Sequence, residues 1–231
     1  MGDQFYKEFE QEVRMMMNLH HKNIIQFIGA SRVKGKLAIL TEFVSQGNLS
    51  TLLSSKKLNT EVKKKIILDT AEALLFLHSN SILHRDIKAE NLLVVSTLKE
   101  AIVNVKLTDF GTARSTTEQV TSKFTKGVGT PIYMAVEILK NETYEKSADV
   151  YSFGVLMWNI MTQEEPYKEM THSWDIAEFV LQGKRLPIPA DCPALLRDLI
   201  TKCWAQNPQD RPTMKEIVSV LSNDEEFVEL D

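Results

Sequence analysis

The sequence predicts an α+β fold in which a small helix-and-hairpin unit precedes a larger, mostly helical one. Three observations carry this reading. Residues 5–19 place Phe5, Phe9, Val13 and Met16 at helical spacing, the pattern of an amphipathic helix. Two strand-like runs, 24–31 and 37–43, follow on either side of Lys34-Gly35-Lys36, which reads as a hairpin turn. Beyond them, apolar residues recur with helical period at 61–79, 147–161, 173–182, 193–204 and 213–221, so the helices are segregated from the hairpin.

Composition narrows the class. A chain of 231 residues holds one large domain or two small ones. Its 43% hydrophobic and 25% charged residues are ordinary for a globular protein, and a net charge of -4 argues against a nucleic-acid partner. No apolar run approaches the roughly 20 residues of a membrane span. Cys192 and Cys203, with no secretory leader ahead of them, read as buried free thiols, and a cytoplasmic location is expected. Met1-Gly2 is followed by Tyr6 where N-myristoylation wants Ser or Thr. Nothing in the sequence sets an oligomeric state.

In chain order, the first helix ends before His20-His21-Lys22-Asn23, a turn into the first strand. Gln46-Gly47-Asn48-Leu49 breaks the strand pattern and opens a short helix through Leu53; Asn59-Thr60 then caps a long one from Glu61 to Ser79. Lys63-Lys64-Lys65 reads as a solvated face of that helix. Residues 112–129 are rich in Ser and Thr with no hydrophobic period, and Asn223 to Asp231 form an acidic, frayed end. The helix beginning at Ser147 is apolar nearly all round, which marks it as buried at a domain centre. Asp149 in its first turn suits the helix dipole.

The chemistry concentrates in His84-Arg85-Asp86-Ile87-Lys88-Ala89-Glu90-Asn91 and, 23 residues after Asp86, Asp109-Phe110-Gly111. These match H-R-D-x-x-x-x-N and D-F-G, and on them the chain resembles the eukaryotic protein kinase family over about residues 5–222. The resemblance implies two lobes: a small-lobe remnant at 1–43, a mostly helical large lobe at 44–222 and an acidic tail at 223–231. It also implies transfer of the γ-phosphoryl group of ATP, with Mg²⁺, to hydroxyls of protein substrates in intracellular signalling.

Roles follow by position. Asp86 orients the incoming hydroxyl and accepts its proton, Lys88 steadies the transferring phosphoryl group, and Thr130 bridges those two. Asn91 and Asp109 are hard oxygen ligands for Mg²⁺. On the nucleotide side the resemblance marks Glu12 as the helix glutamate that pairs with a phosphate-gripping Lys, and Thr41 as gatekeeper. The backbone of Glu42 and Val44 would face the adenine edge, with Leu93 beneath the ring. His84 and Phe110 would stack in the interior with Met16 and Phe27, Asp149 would hold the catalytic-loop backbone, and Glu137 would pair with Arg211. Ser115, Thr116, Thr117, Thr121, Ser122 and Thr125 are candidate phosphorylation sites, with Arg85 as the cation that would receive the phosphate.

Lys88 points to serine/threonine transfer; Ile28-Gly29-Ala30, Cys203-Trp204 and Arg185-Leu186-Pro187-Ile188-Pro189 resemble the tyrosine-kinase-like group, leaving dual specificity open. Two departures stand out. The family's Ala-Pro-Glu is Ala135-Val136-Glu137 here, and no G-x-G-x-x-G occurs, since Gly127-Val128-Gly129 is followed by Thr130-Pro131-Ile132. The Gly-rich loop and phosphate Lys need about 25 residues of strand and turn ahead of Glu12, which has only eleven. The expectation is therefore an N-terminally truncated kinase that alone binds MgATP weakly and turns over little. The alternatives are a pseudokinase-like regulatory module without turnover and a nonfunctional truncated paralogue.

Overall fold

A computed structural model describes residues 2–33, 36–116, 131–143 and 145–223. Helix α1 (Gly2–Met16) leads to an antiparallel pair, β1 (Phe27–Val33) and β2 (Lys36–Thr41), in register from Gly29 opposite Leu40 to Val33 opposite Lys36, with a one-residue shift before Phe27 opposite Thr41. Glu10 ties the helix to the sheet: one carboxylate oxygen faces Arg14 and the other Arg32, both at 3.3 Å, while Arg32 lies over the Tyr6 ring.

The larger unit begins with α2 (Leu49–Ser55) and α3 (Thr60–Ser79). Both start as the sequence indicates, with Asn48 accepting from the Thr51 N–H and Asn59 from the Val62 N–H, each at 2.9 Å. Short antiparallel pairs follow: β3 (Ile82–Leu83) with β6 (Arg114–Ser115), and β4 (Leu92–Val94) with β5 (Val105–Leu107). Then come α4 (Val136–Leu139), α5 (Lys146–Thr162), α6 (Ser173–Leu181), α7 (Ala194–Cys203) and α8 (Met214–Asn223).

Helix α5 is the axis. Every residue from Ala148 to Ile160 is buried, with α3 and α7 packed against it. Gly154 is what lets α7 come so close: a Cβ there would stand 2.8 Å from Cβ of Cys203 and 3.2 Å from N of Trp204. The expected Glu137–Arg211 pair is buried and bidentate, at 2.6 and 2.9 Å. Asp69 of α3, fully buried, accepts the N–H groups of Asn104 (2.6 Å) and Val105 (3.2 Å), which fixes the start of β5.

Several sequence-based boundaries shift for identifiable reasons. The first helix runs Gly2–Met16 rather than 5–19. The first strand begins at Phe27, not Ile24, because residues 23–25 are bonded to Leu107 of β5 instead of to β2: Leu107 N–H to Asn23 carbonyl is 2.8 Å and Ile25 N–H to Leu107 carbonyl 2.9 Å. The second strand stops at Thr41, and Phe43 lies 90% exposed beyond it. Lys63-Lys64-Lys65 is not a solvated face. Lys64 is buried, Lys63 donates to the Met161 carbonyl at 2.8 Å, and Lys65 approaches Asp69 at 3.6 Å. The Ser/Thr-rich residues beyond Thr116 fall outside the described residues, as do Thr130 and the acidic end.

Candidate active site

The catalytic loop is held from behind by one carboxylate. Asp149, buried in the first turn of α5, accepts the N–H of His84 (3.0 Å) through Oδ2 and the N–H of Arg85 (2.9 Å) through Oδ1. His78, in the last turn of α3, meets the same Oδ2 at 3.0 Å. Burial opposes ionisation of Asp149, but the His78 bond and these N–H donors outweigh it and hold its pKa below the usual carboxylate range. This grip sustains Arg85 at φ +72°, a left-handed conformation costly for a non-glycine residue. The His84 role expected of the loop also has its geometry: its ring meets Phe110 edge-on at 5.2 Å, and its Nε2 reaches the Thr108 carbonyl at 3.0 Å. Burial lowers the His84 pKa, so the ring stays neutral.

In front of this scaffold, three predicted residues converge. Lys88 donates to Oδ2 of Asp86 at 2.6 Å, and Asn91 Nδ2 donates to Oδ2 (2.9 Å) and the carbonyl (2.8 Å) of Asp86. Asp86 and Lys88 are about one-third exposed, so the pair faces the cleft while remaining fixed. With its amide N–H groups given to Asp86, Asn91 keeps Oδ1 as its ligand atom. Thr108 joins the two motif segments: its N–H donates to the Asn91 carbonyl at 2.9 Å, and its own carbonyl meets His84.

Asp109 comes next, exposed and at φ +65°. A Cβ placed on Gly111 would lie 3.5 Å from Oδ1 of Asp109 and 3.7 Å from Oε2 of Glu12, so two carboxylates from distant segments meet here. Burial, then the charge of Asp109, raises the Glu12 pKa, with Arg114 acting in the opposite sense. Among the described residues no ion pair to Glu12 forms.

The remaining predicted positions form a separate group along the segment leaving β2 and on the β4–β5 pair. Thr41 Oγ1 donates to the Glu42 carbonyl at 3.2 Å. The Glu42 N–H donates to the Gln26 carbonyl at 3.0 Å. The Glu42 carboxylate accepts from the Gln26 N–H (2.8 Å) and from Lys106 (2.5 Å). Lys106 in turn sits opposite Leu93 in the β4–β5 pair, which brings Leu93 to the same wall. Val44 packs half-buried against the core, and among the described residues its backbone groups take no backbone partner. No hydrogen bond or ion pair among the described residues joins this wall to Asp109.

Sequence reasoning passed over His78, Gln26 and Lys106, because each acts through a partner 16 to 71 positions away. Comparison with known proteins identifies the family. The family described as protein tyrosine and serine/threonine kinase matches residues 2–221. A dual specificity protein kinase of Dictyostelium discoideum, shkC, is 38% identical over 221 residues, covering 93% of this chain and 43% of that protein. The serine/threonine/tyrosine-protein kinase HT1 of Arabidopsis thaliana is 36% identical, covering 96% of the chain and 56% of its own length; the serine/threonine-protein kinase STY17 of the same plant is 37% identical, at 94% and 37%. The chain thus spans about half, or less, of the length of these relatives. With the catalytic-loop geometry and a family match over nearly its whole length, the chain belongs to the protein tyrosine and serine/threonine kinase family.

Proposed function

We propose that these residues form the catalytic floor of a serine/threonine protein kinase that moves the γ-phosphoryl group of ATP to protein hydroxyls, with dual specificity compatible with the relatives' names. The observation that carries the reading is the fixed triangle of Asp86, Lys88 and Asn91, joined through Thr108 to Asp109. Phosphoryl transfer asks little covalent help of a protein; it needs positioning and charge neutralisation. Asp86 accepts the proton of the attacking hydroxyl from a carboxylate already oriented by two donors. Lys88 keeps a positive charge beside the base, where it also faces the transferring group. Thr130 belongs to the same reading as the residue bridging Asp86 and Lys88.

Members of this family use MgATP. Asn91 Oδ1 and the Asp109 carboxylate suit Mg²⁺, which takes few protein oxygens and keeps phosphate and water for the rest. Bound there, the ion supplies charge neutralisation across the phosphates. Adenine would lie against Thr41, Val44, the Glu42 carbonyl and Leu93. Glu12 awaits a cation, which fits its role as partner of a phosphate-gripping Lys, although no Gly-rich phosphate loop occurs in the 231 residues. We place the lobe boundary at 43/44, where the chain leaves the wall described above, with 44–222 as the large lobe.

Replacing the base tests the reading. Asp86→Asn is expected to lower phosphoryl transfer to a protein serine by about 10²- to 10⁴-fold while the melting temperature stays within about 2 °C. Undiminished transfer in that variant would remove Asp86 from the chemistry.

A further inference from the structure

We propose that the tip of the β4–β5 hairpin is a docking surface for the acidic, apolar stretch that follows α8, residues 224–231 of the same chain. The proposal goes beyond the kinase reading and does not depend on it.

The connection 95–104 at this tip is built rather than loose. Buried Asn104 donates through Nδ2 to the carbonyls of Ser96 (3.0 Å) and Leu98 (2.9 Å), and its own carbonyl accepts the N–H groups of Val95 (2.8 Å) and Ser96 (3.2 Å). Ser96 Oγ takes the Leu98 N–H at 3.1 Å, and Asp69 of α3 holds the Asn104 N–H from behind. On this frame Leu98 is 66% and Ile102 81% exposed, with Val95 exposed at its base. A fixed loop that keeps three apolar side chains in water has the character of an interaction site.

Charge selects the occupant. Lys99 lies within the tip, and Lys56 reaches it from the end of α2, its Nζ 3.5 Å from Thr97 Oγ1. Lys57 follows, and all three lysines are exposed with no ion pair among the described residues. Within 95–104 the single acid is Glu100. A complementary partner is therefore apolar and rich in carboxylates.

Residues 224–231, outside the described residues, have that composition: Phe227, Val228 and Leu230 interleave with Asp224, Glu225, Glu226, Glu229 and Asp231. They also have the reach. Helix α8 starts with Met214 beside Leu75 and His78 of α3, packs against α3 and buries Met214, Ile217 and Leu221. The hairpin tip is fastened to that same helix at Asp69. Eight extended residues span about 27 Å, over twice the diameter of a helix. The tether holds the segment at an effective concentration on the order of mM, so docking needs only a weak intrinsic affinity. Phe227 and Leu230 then cover Leu98 and Ile102, and the carboxylates meet Lys56 and Lys99. The hairpin carries Leu93 and Lys106, so a docked segment steadies the wall that Lys106 joins to Glu42.

The test is zero-length carbodiimide coupling on the full chain, which joins lysine amines only to carboxylates in contact with them. Mass spectrometry of an equal mixture of isotopically light and heavy chains separates links within a chain from links between chains. The expected product joins Lys56 or Lys99 to a carboxylate of 224–231 within one chain, and its yield falls about fivefold from low salt to ~0.5 M. The exposed double variant Leu98→Ser and Ile102→Ser should lose the link, its melting temperature reporting that it folds. The double variant Phe227→Ser and Leu230→Ser, placed outside the folded core, should speed amide exchange of residues 95–104 about threefold and leave α5 unchanged. No link, links from 224–231 to other lysines, or unchanged exchange in the second variant overturns the proposal. Links only between light and heavy chains would put a second copy on the tip in place of the chain's own segment, and overturn it as well.

Discussion

Glu12 and Asp109 show how single residues carry the state of this site. Two carboxylates approach each other beside Gly111, and no ion pair to Glu12 balances them among the described residues. Because the pKa of Glu12 is raised in the folded chain, its charged form is disfavoured by folding. That cost is present above its folded pKa and disappears as pH falls below the ordinary glutamate value. Glu12→Gln is therefore expected to raise the melting temperature at pH 7 by about 1–2 °C, a figure kept small because the group is only half-buried, and to change nothing at pH 4. A fall in melting temperature at pH 7 would mean that a cation already satisfies Glu12. The clustering of Asp86, Lys88 and Asn91 was legible because the motif ties fixed residue types to fixed spacings. His78 was not: its partner Asp149 lies 71 positions away, and sequence carries no record of that proximity.

At the scale of elements, the long helices were legible and the short strands were not. Helices α2 and α3 announce themselves by an asparagine cap and a sustained apolar stripe. Strands β3 to β6 are two or three residues long, and each exists because a partner 11 to 33 positions away offers its backbone, so no local period marks them. The lysine run of α3 was misread for a related reason, since the Met161 carbonyl that receives Lys63 belongs to the far end of α5. That end depends on Gln163, at φ +57°, whose side chain donates to the Leu53 and Lys56 carbonyls at 3.0 and 2.6 Å and accepts the Leu58 N–H at 2.9 Å. Gln163→Ala removes three bonds linking α5 to the α2–α3 connection and is expected to cost about 2 kcal/mol in urea unfolding. Gly154→Ala should cost about 1–3 kcal/mol in the same measurement by forcing α7 away from α5. A neutral result there would mean that the two helices slide apart freely.

Across the whole molecule, the large-lobe scaffold was readable because its long-range partners are themselves family motifs: Asp149 under the catalytic loop, and Glu137 with Arg211. The connection between the two units was not. Glu42 lies just past the hairpin and takes Lys106 from the large unit and the Gln26 N–H from the small one, and nothing in the local sequence predicts that the glutamate after Thr41 should do so. Burial works against its charge, yet Lys106 and Gln26 bring its pKa down, so it is ionised at neutral pH. Glu42→Gln is expected to speed amide hydrogen exchange in β1 and β2 about tenfold, the equivalent of ~1.4 kcal/mol, with α3 and α5 unaffected. Uniform acceleration throughout the chain would mean global destabilisation instead. If only the hairpin responds, an ionised latch beside the backbone bonds of Asn23 and Ile25 to Leu107 tunes how the two units hold together, and that hold becomes a function of ionic strength.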